Sequence, residues 1–355
     1  MYRIEEMFNK LPYEVDCALI TSDKNRQYFT GLKSSAGTLL CFREKSYLII
    51  DFRYIEKAKA TVKSYEVIEQ DSIFKQIENL IKKHGAKRIA VEADKMTISE
   101  LNSYSTKLSE CEFDTSDSLS KVISRMRMVK DKHEIEKISQ AQEIAEKAFE
   151  HILDFIKVGR TEREIELELN WAMLKNGAEA ISFDSIVLSG KNTSMPHGVP
   201  SNKRVESGDF VLMDFGAVID GYHSDMTRTV CVGKPTAEMI NVYSIVLSAQ
   251  ENAIKSARAG IRGKDLDRSA RKIIEDVGYG SAFGHSLGHG VGLDIHEMPT
   301  ASQMSETILE KNMLVTIEPG IYLPEKFGVR IEDLVVIKED FCINLNKTSK
   351  KMICI

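Results

Sequence analysis

The sequence is poor in the features that would classify it at a glance. Of its 355 residues one is tryptophan and seven are proline, and it holds no low-complexity tract or short-period repeat. Its longest apolar runs fall far short of the roughly 20 residues that span a bilayer, so no membrane association is expected. The opening MYRIEEMFNK lacks the pattern of a secretory leader, and a cytoplasmic protein is expected. Basic charge is not in excess either. With 48 Lys and Arg against 53 Asp and Glu the net charge is −5, and no basic footprint for nucleic acid exists. The six cysteines stand at 17, 41, 111, 231, 342 and 354, with no close pairs. That spacing fits neither a zinc cluster nor a disulfide framework, so reduced thiols are expected. What remains is a globular chain whose length suits two domains, each able to bury a core.

The first 123 residues alternate short apolar runs with helical patterns. Strands are expected at Ala18–Thr21, Gly37–Phe42, Tyr47–Ile50 and Ile89–Val91, and helices at Tyr54–Ala60 and Ile73–His84, the latter stopped by Gly85. This alternation predicts a small α/β domain with a mixed sheet. No cluster in it has ligand or nucleophile logic. Residues 124–130 are charged and read as a junction, and the second domain is expected over 131–355. It opens with a long amphipathic helix, in which Ile135, Ile138, Ile144, Ala145, Ala148, Phe149, Ile152 and Ile156 make one stripe. Thr161 and Glu164 form a capping-box pattern that opens a second helix through Lys175. Further helices are expected at Ala237–Arg258 and Lys264–Val277. Strands are expected around Ile186–Leu188, Phe210–Phe215, Met226–Val232, Leu314–Glu318 and Val329–Ile337, several joined by short loops, which implies antiparallel pairing.

The chemistry gathers around one hairpin. In VLMDFGAVIDGYHSDMTRT, residues 211–229, Asp220-Gly221 is a strong two-residue turn signal. With those two at the turn, Asp214 falls opposite Thr227 and Asp225 opposite Gly216, so both acids share one face as diagonal neighbours about 7–8 Å apart. An acid buried in an apolar strand is costly unless it is paired or binds metal. His223 shares that face, but no direct part is assigned to it. Downstream, GHSLGHGVGLDIHEMP (284–299) places His285 and His289 four apart, yet its glycines argue against a helix. An extended segment whose backbone approaches something closely is expected instead. Glu318 in LVTIEPGIY and Glu332 in VRIEDLVVI repeat the problem of an acid among β-formers. Each could be met by an arginine, and Arg228 and Arg330 stand near in sequence. Together with a histidine, the four acids make an oxygen-rich set. Four carboxylates balance two divalent cations, and oxygen with one nitrogen suits Mn²⁺, or Co²⁺, Fe²⁺ or Zn²⁺.

With these residues in view, the second half resembles the "pita-bread" metallopeptidases, the family of aminopeptidase P, prolidase, methionine aminopeptidase and creatinase. The motifs that carry the likeness are PHGVP at 196–200, DFGAVIDGYHSDMTRT at 214–229, the glycine–histidine stretch at 284–299, TIEPGIY at 316–322 and VRIED at 329–333. The first half resembles the creatinase-type N-terminal domain in NRQYFTGLKSSAGTLL and YLIIDFRY. The resemblance implies an α/β, or α+β, protein: an antiparallel pita-bread sheet with covering helices, preceded by a smaller α/β domain. It implies that Asp214 holds one metal ion, that Asp225 and Glu332 bridge two, and that His289 and Glu318 hold the other. It places His197 and His296 in the substrate cleft, stabilising the tetrahedral intermediate and moving protons. His285 falls at a further histidine of the proline-specific branch, and Glu318 doubles as acid–base partner of a hydroxide bridging the ions. A homodimer is a further expectation from the family.

The filled ligand set argues against creatinase, and the N-terminal domain against methionine aminopeptidase. The expected function is that of an Xaa-Pro aminopeptidase acting on peptides with proline in second position, with Xaa-Pro dipeptidase, or prolidase, as the alternative. Arg330 is the candidate contact for a substrate carboxylate. A catalytically dead relative acting as a binding protein is a third reading, which the complete ligand set disfavours.

Overall fold

The computed structural model describes residues 2–355, which divide into two units, one up to Arg127 and one over 128–355. In the first unit one sheet has six strands in the order Glu66–Glu69, Ser46–Ile50, Thr38–Phe42, Cys17–Ile20, Arg88–Val91 and Glu112–Asp114. Three of its pairings are parallel and two antiparallel, the mixed sheet expected. The helix Ile73–His84 ends at Gly85 with φ 65°, a left-handed cap that glycine adopts without strain. Both edge strands and the helices Tyr2–Lys10, Asp23–Thr30, Ile98–Lys107 and Ser118–Met128 lie outside the elements expected from the sequence. Glu66–Glu69 is short and acidic, as exposed edges tend to be, and so has little apolar signal. Asp23–Thr30 buries Asn25 and Arg26 beside Tyr28 and Phe29, which no apolar periodicity reveals. The stretch 124–130, expected as a junction, is helical as far as Met128.

In the second unit, Asp131 and Glu134 form a capping box that opens the helix Lys132–Phe155, and Thr161 with Glu164 opens Glu162–Lys175. These two helices pack on the sheet of Ile186–Ser189, Phe210–Phe215 and Met226–Cys231. A second helix pair, Ala237–Ser256 and Gly263–Asp276, shares another core with the strands Leu314–Ile317, Gly320–Leu323, Phe327–Arg330 and Asp333–Ile337. Val211, Met213 and Phe215 face the first core, so the alternate residues, Asp214 among them, face away from it. The acids therefore stand on the sheet face turned from this helix pair.

The hairpin holds its expected register: Ile219 faces Tyr222, Asp214 faces Thr227 and Phe215 faces Met226. Asp220 and Gly221 take φ 50° and 81°, the two positive values of a type I′ turn. The ladder is interrupted at Gly216, however, where a side chain would meet the Ser224 carbonyl. Gly288 likewise lies against the Thr316 carbonyl, the close approach its segment was expected to make. Two strand expectations need correction. Val329–Ile337 is two strands broken at Ile331 and Glu332, and Glu318 stands just beyond the end of Leu314–Ile317. Both glutamates sit where a strand stops, which frees their side chains from the pleat. Cysteines far apart in sequence also meet, since Cys231 faces Cys354 across an isolated bridge, with all six thiols free. No described helix is long and apolar enough to cross a membrane.

The two halves of this unit are tied by a buried ion pair. Arg228 donates to Asp333 at 2.8 Å and to the Glu332 carbonyl at 2.6 Å, with 2% and 0% of the two side chains exposed. Arg228→Met leaves Asp333 with Lys350 at 3.1 Å, Gln250 and Asn344 but its Oδ1 without the arginine, and is expected to cost about 1–3 kcal/mol. Urea unfolding measures this, and an unchanged midpoint would contradict it.

Candidate metal centre

All nine residues singled out in the sequence line one cavity of about 600 Å³. Asp214 comes from Phe210–Phe215, Asp225 directly precedes Met226–Cys231, and His289 lies within the strand Gly288–Gly290. Ligand atoms of Asp225, His289 and Glu332 all fall within 4.8 Å of one another. His289 Nε2 lies 3.5 Å from both Asp225 and Glu318. Two threonines orient the glutamates: Thr227 Oγ1 donates to Glu332 at 2.7 Å, and Thr316 Oγ1 to Glu318 at 3.2 Å. Four members of the expected ligand set thus gather directly. Asp214 joins through Arg330, whose Nη2 donates to its Oδ2 at 2.6 Å.

The electrostatics of this cluster are those of a site built for cations. Burial, and then the neighbouring Glu332, Asp214 and Glu318, drives the Asp225 carboxyl well above its usual range. Burial also raises Glu332, with Glu318 and Asp214 adding to it. Glu318 is pushed up to about 8 by burial, against the opposing charge of Arg330. His289 is held down at about 4, chiefly by burial and then by His296, so its ring is neutral at pH 7. Its Nδ1 lies 3.1 Å from the Gly290 carbonyl, which puts the proton there and leaves the Nε2 lone pair aimed at two carboxylates. Lone pairs facing lone pairs repel unless a cation lies between them. Oδ1 of Asp214 and Oδ1 of Asp225 are buried with no hydrogen-bond partner. Four oxygen-bearing groups, one neutral imidazole and two orphaned acceptors fit divalent ions.

Around the cluster the three other histidines differ. His197 and His296 are exposed on the cavity wall, the His296 ring with its centroid 4.3 Å from that of His289. His285 is engaged on both sides, with Nδ1 2.8 Å from the Ser286 carbonyl and Nε2 2.9 Å from the Tyr322 hydroxyl. Tyr322 in turn accepts from Arg330 Nη1 at 2.8 Å. The chain Asp214–Arg330–Tyr322–His285 is therefore directional, with Tyr322 donating to a neutral His285. Burial, and then Arg330, lowers that ring to about 4. Arg330, expected at a substrate carboxylate, is 3% exposed and gives its donors to Asp214, Tyr322, Thr227 and the Pro196 carbonyl. One of the two arginines suspected of serving an acid thus pairs with Asp214, and the other, Arg228, with Asp333 instead. Sequence reasoning missed Thr227, Thr316 and Tyr322 as orienting groups, although all three lie within the motifs it singled out.

Comparison with known proteins agrees with this geometry. The profile of metallopeptidase family M24 matches residues 136–339, and that of the creatinase/prolidase N-terminal domain matches residues 12–129. The chain is 40% identical over 342 residues to the Xaa-Pro dipeptidase of Pyrococcus horikoshii, covering 96% of this chain and 95% of that one. The structure of an Xaa-Pro dipeptidase from Bacillus anthracis matches with a TM-score of 0.96 at 38% identity, over 100% of this chain and 99% of that one. An X-Pro aminopeptidase from Thermotoga maritima matches at 0.92 and 40% identity, over 96% and 98%. The chain belongs to metallopeptidase family M24, in its pita-bread, proline-specific branch. It is a metal-dependent exopeptidase, with divalent ions as its cofactor.

Proposed function

We propose that the protein hydrolyses the bond between an N-terminal residue and a following proline, with two metal ions held by Asp214, Asp225, His289, Glu318 and Glu332. The observation that carries this reading is the meeting of four carboxylates and one neutral imidazole in a cavity that three further histidines line. When bound, a divalent pair supplies Lewis acidity at the scissile carbonyl and lowers the pKa of a water toward neutrality. The protein's own groups do the rest. Glu318 takes the proton of the attacking water as a carboxylate and returns it to the departing proline nitrogen. His197 and His296, exposed on the wall, donate to the carbonyl oxygen as it becomes an oxyanion. Tyr322 and Arg330 hold Asp214 and His285 in place. Manganese and a homodimer belong to the proposal on the family likeness, and a cytoplasmic setting on the six free thiols.

The cavity favours peptides longer than two residues. Arg330 is the one Lys or Arg among its lining residues, and its donors are already given to protein acceptors. A dipeptide's carboxylate beside the proline would thus find no uncommitted Lys or Arg among the residues that line the cavity. The dipeptidase names of relatives at 38–40% identity support the second reading, hydrolysis of Xaa-Pro dipeptides. Assay of an Xaa-Pro dipeptide against an Xaa-Pro-Yaa tripeptide with Mn²⁺ separates the two. The expected result is cleavage of the tripeptide with the higher kcat/KM. Cleavage of the dipeptide alone would make the protein a dipeptidase.

A further inference from the structure

The metal-facing residues stand on strands or at strand ends, but His197 and His285 stand on segments without regular structure. Such segments drift unless something ties them, and a side chain misplaced by about 1 Å can cost 10²-fold in rate. Each of these two is tied by buried charge that does not line the cavity.

Glu162, the first residue of its helix, is fully buried. Its Oε1 accepts from the Ser189 amide at 2.6 Å and the Ser189 hydroxyl at 3.0 Å. Its Oε2 accepts from the Ser201 amide at 3.0 Å and the Ser201 hydroxyl at 2.6 Å. Asn192 Nδ2 reaches both oxygens, at 3.0 and 3.2 Å. One carboxylate thus pins both ends of the 189–201 segment that carries His197.

On another element, Asp267 and Arg271 stand four apart in the helix Gly263–Asp276 and form a two-pronged pair at 2.7 and 2.9 Å. Arg271 also donates to the carbonyls of Phe283 at 2.9 Å and His285 at 2.7 Å, and Asp267 accepts from the Leu287 amide at 3.0 Å. The guanidinium lies 4.1 Å over the Phe283 ring, whose edge meets His285 with centroids 5.0 Å apart. The backbone is held on both sides of His285. A buried ion pair adds little net stability over an apolar pair of equal volume. Its use here is therefore geometric, fixing three backbone groups around one imidazole.

We propose that Glu162 and the Asp267–Arg271 pair are positioning residues that set His197 and His285 in the substrate cleft, an assignment that rests on those histidines contacting the peptide. The test is a pair of double-mutant cycles on the metal-loaded enzyme. Glu162→Gln is measured with and without His197→Ala. The double variant Asp267→Leu/Arg271→Met, which removes both charges at similar volume and strands neither, is measured with and without His285→Ala. Arg271→Lys, which keeps the charge but loses the two-pronged geometry, is put through the same comparison should the double variant not accumulate as folded protein. Each clamp variant alone is expected to lower kcat/KM by about 10–100-fold, with bound metal unchanged. Its split between kcat and KM should match that of the corresponding histidine variant, and it should add no further loss once that histidine is gone.

A full additional loss in the His→Ala background, or loss of metal in proportion to activity, would overturn the proposal. If the histidine variants lower activity and the clamp variants do not, the proposal alone fails. If the histidine variants leave activity intact, the functional reading beneath it fails as well. Should Glu162→Gln not accumulate as folded protein, Asn192→Ala removes contacts from the loop side and is put through the same comparison.

Discussion

Replacing Asp225 with asparagine is expected to lower turnover by roughly 10⁴-fold or more, a loss on the scale of deleting a central catalytic group, while leaving the metal-free protein at least as stable. Asp225 is 4% exposed, with one oxygen unpartnered and the other 3.5 Å from His289. Asparagine keeps the shape but removes the charge that offsets the cations, and both proposed ions share this side chain. In the absence of metal the same charge is a burden, because it is desolvated and repelled by Glu332, Asp214 and Glu318. Removing it relieves that repulsion. Metal should then no longer protect the variant, whereas the wild-type protein gains about 2.7 kcal/mol at a metal concentration 100 times its Kd. Turnover, bound metal by elemental analysis and thermal melts with and without Mn²⁺ measure the three effects. Near-normal activity would sink the two-ion mechanism, and a large drop in metal-free stability would make Asp225 a structural residue instead.

Metal removal should also change how stability depends on pH. Asp225, Glu318 and Glu332 all have raised folded-state values, near 8 for Glu318 against an ordinary 4.5. The folded protein therefore keeps protons that the unfolded chain releases. That contribution is fully present below about 4.5 and is lost as pH rises through the folded values. His285 and His289 act in the opposite sense. Both fall to about 4 from 6.5, so the folded state refuses protons that the unfolded chain binds, and stability is lost as pH falls from 6.5 toward 4. Between 4.5 and 6.5 the two trends oppose each other, and above 6.5 the carboxylates act alone. In EDTA the melting temperature is expected to fall between pH 6.5 and 8. With excess Mn²⁺ the gap over the metal-free protein should widen across that window, because metal binding displaces those protons and strengthens as pH rises. Melts at matched ionic strength test this. A flat metal-free profile there would mean that the carboxylates are not desolvated as their burial implies.

How much was legible in the sequence depended on the range of the interaction. The hairpin register was readable because Asp220-Gly221 sets it locally and side chains alternate with a period of two, which put Asp214 and Asp225 on one face. The capping box at Thr161 was readable for the same reason, being a contact across three residues. The helix Asp23–Thr30 was not, because its buried face is partly polar and leaves no apolar stripe. Nor was the break that places Glu332 between two strands, since VRIEDLVVI reads as one unbroken run of β-formers.

By itself the sequence determined which residue types the site would contain and, through its motifs, which family the chain belongs to. Only the tertiary structure decided what those residues do to one another. Arg330 was a free candidate for substrate in the sequence, and the fold commits it to Asp214, Tyr322 and Thr227. His285 was expected as a further histidine beside His197 and His296, and the fold occupies both of its nitrogens. Glu162, Asp267 and Arg271 carried no signal at all, because the groups they hold stand 12 to 39 residues away in the chain. The physical reason is the same in each case. Residue chemistry and local periodicity are written along the chain, whereas desolvation and hydrogen-bond partners exist only once distant segments are brought together.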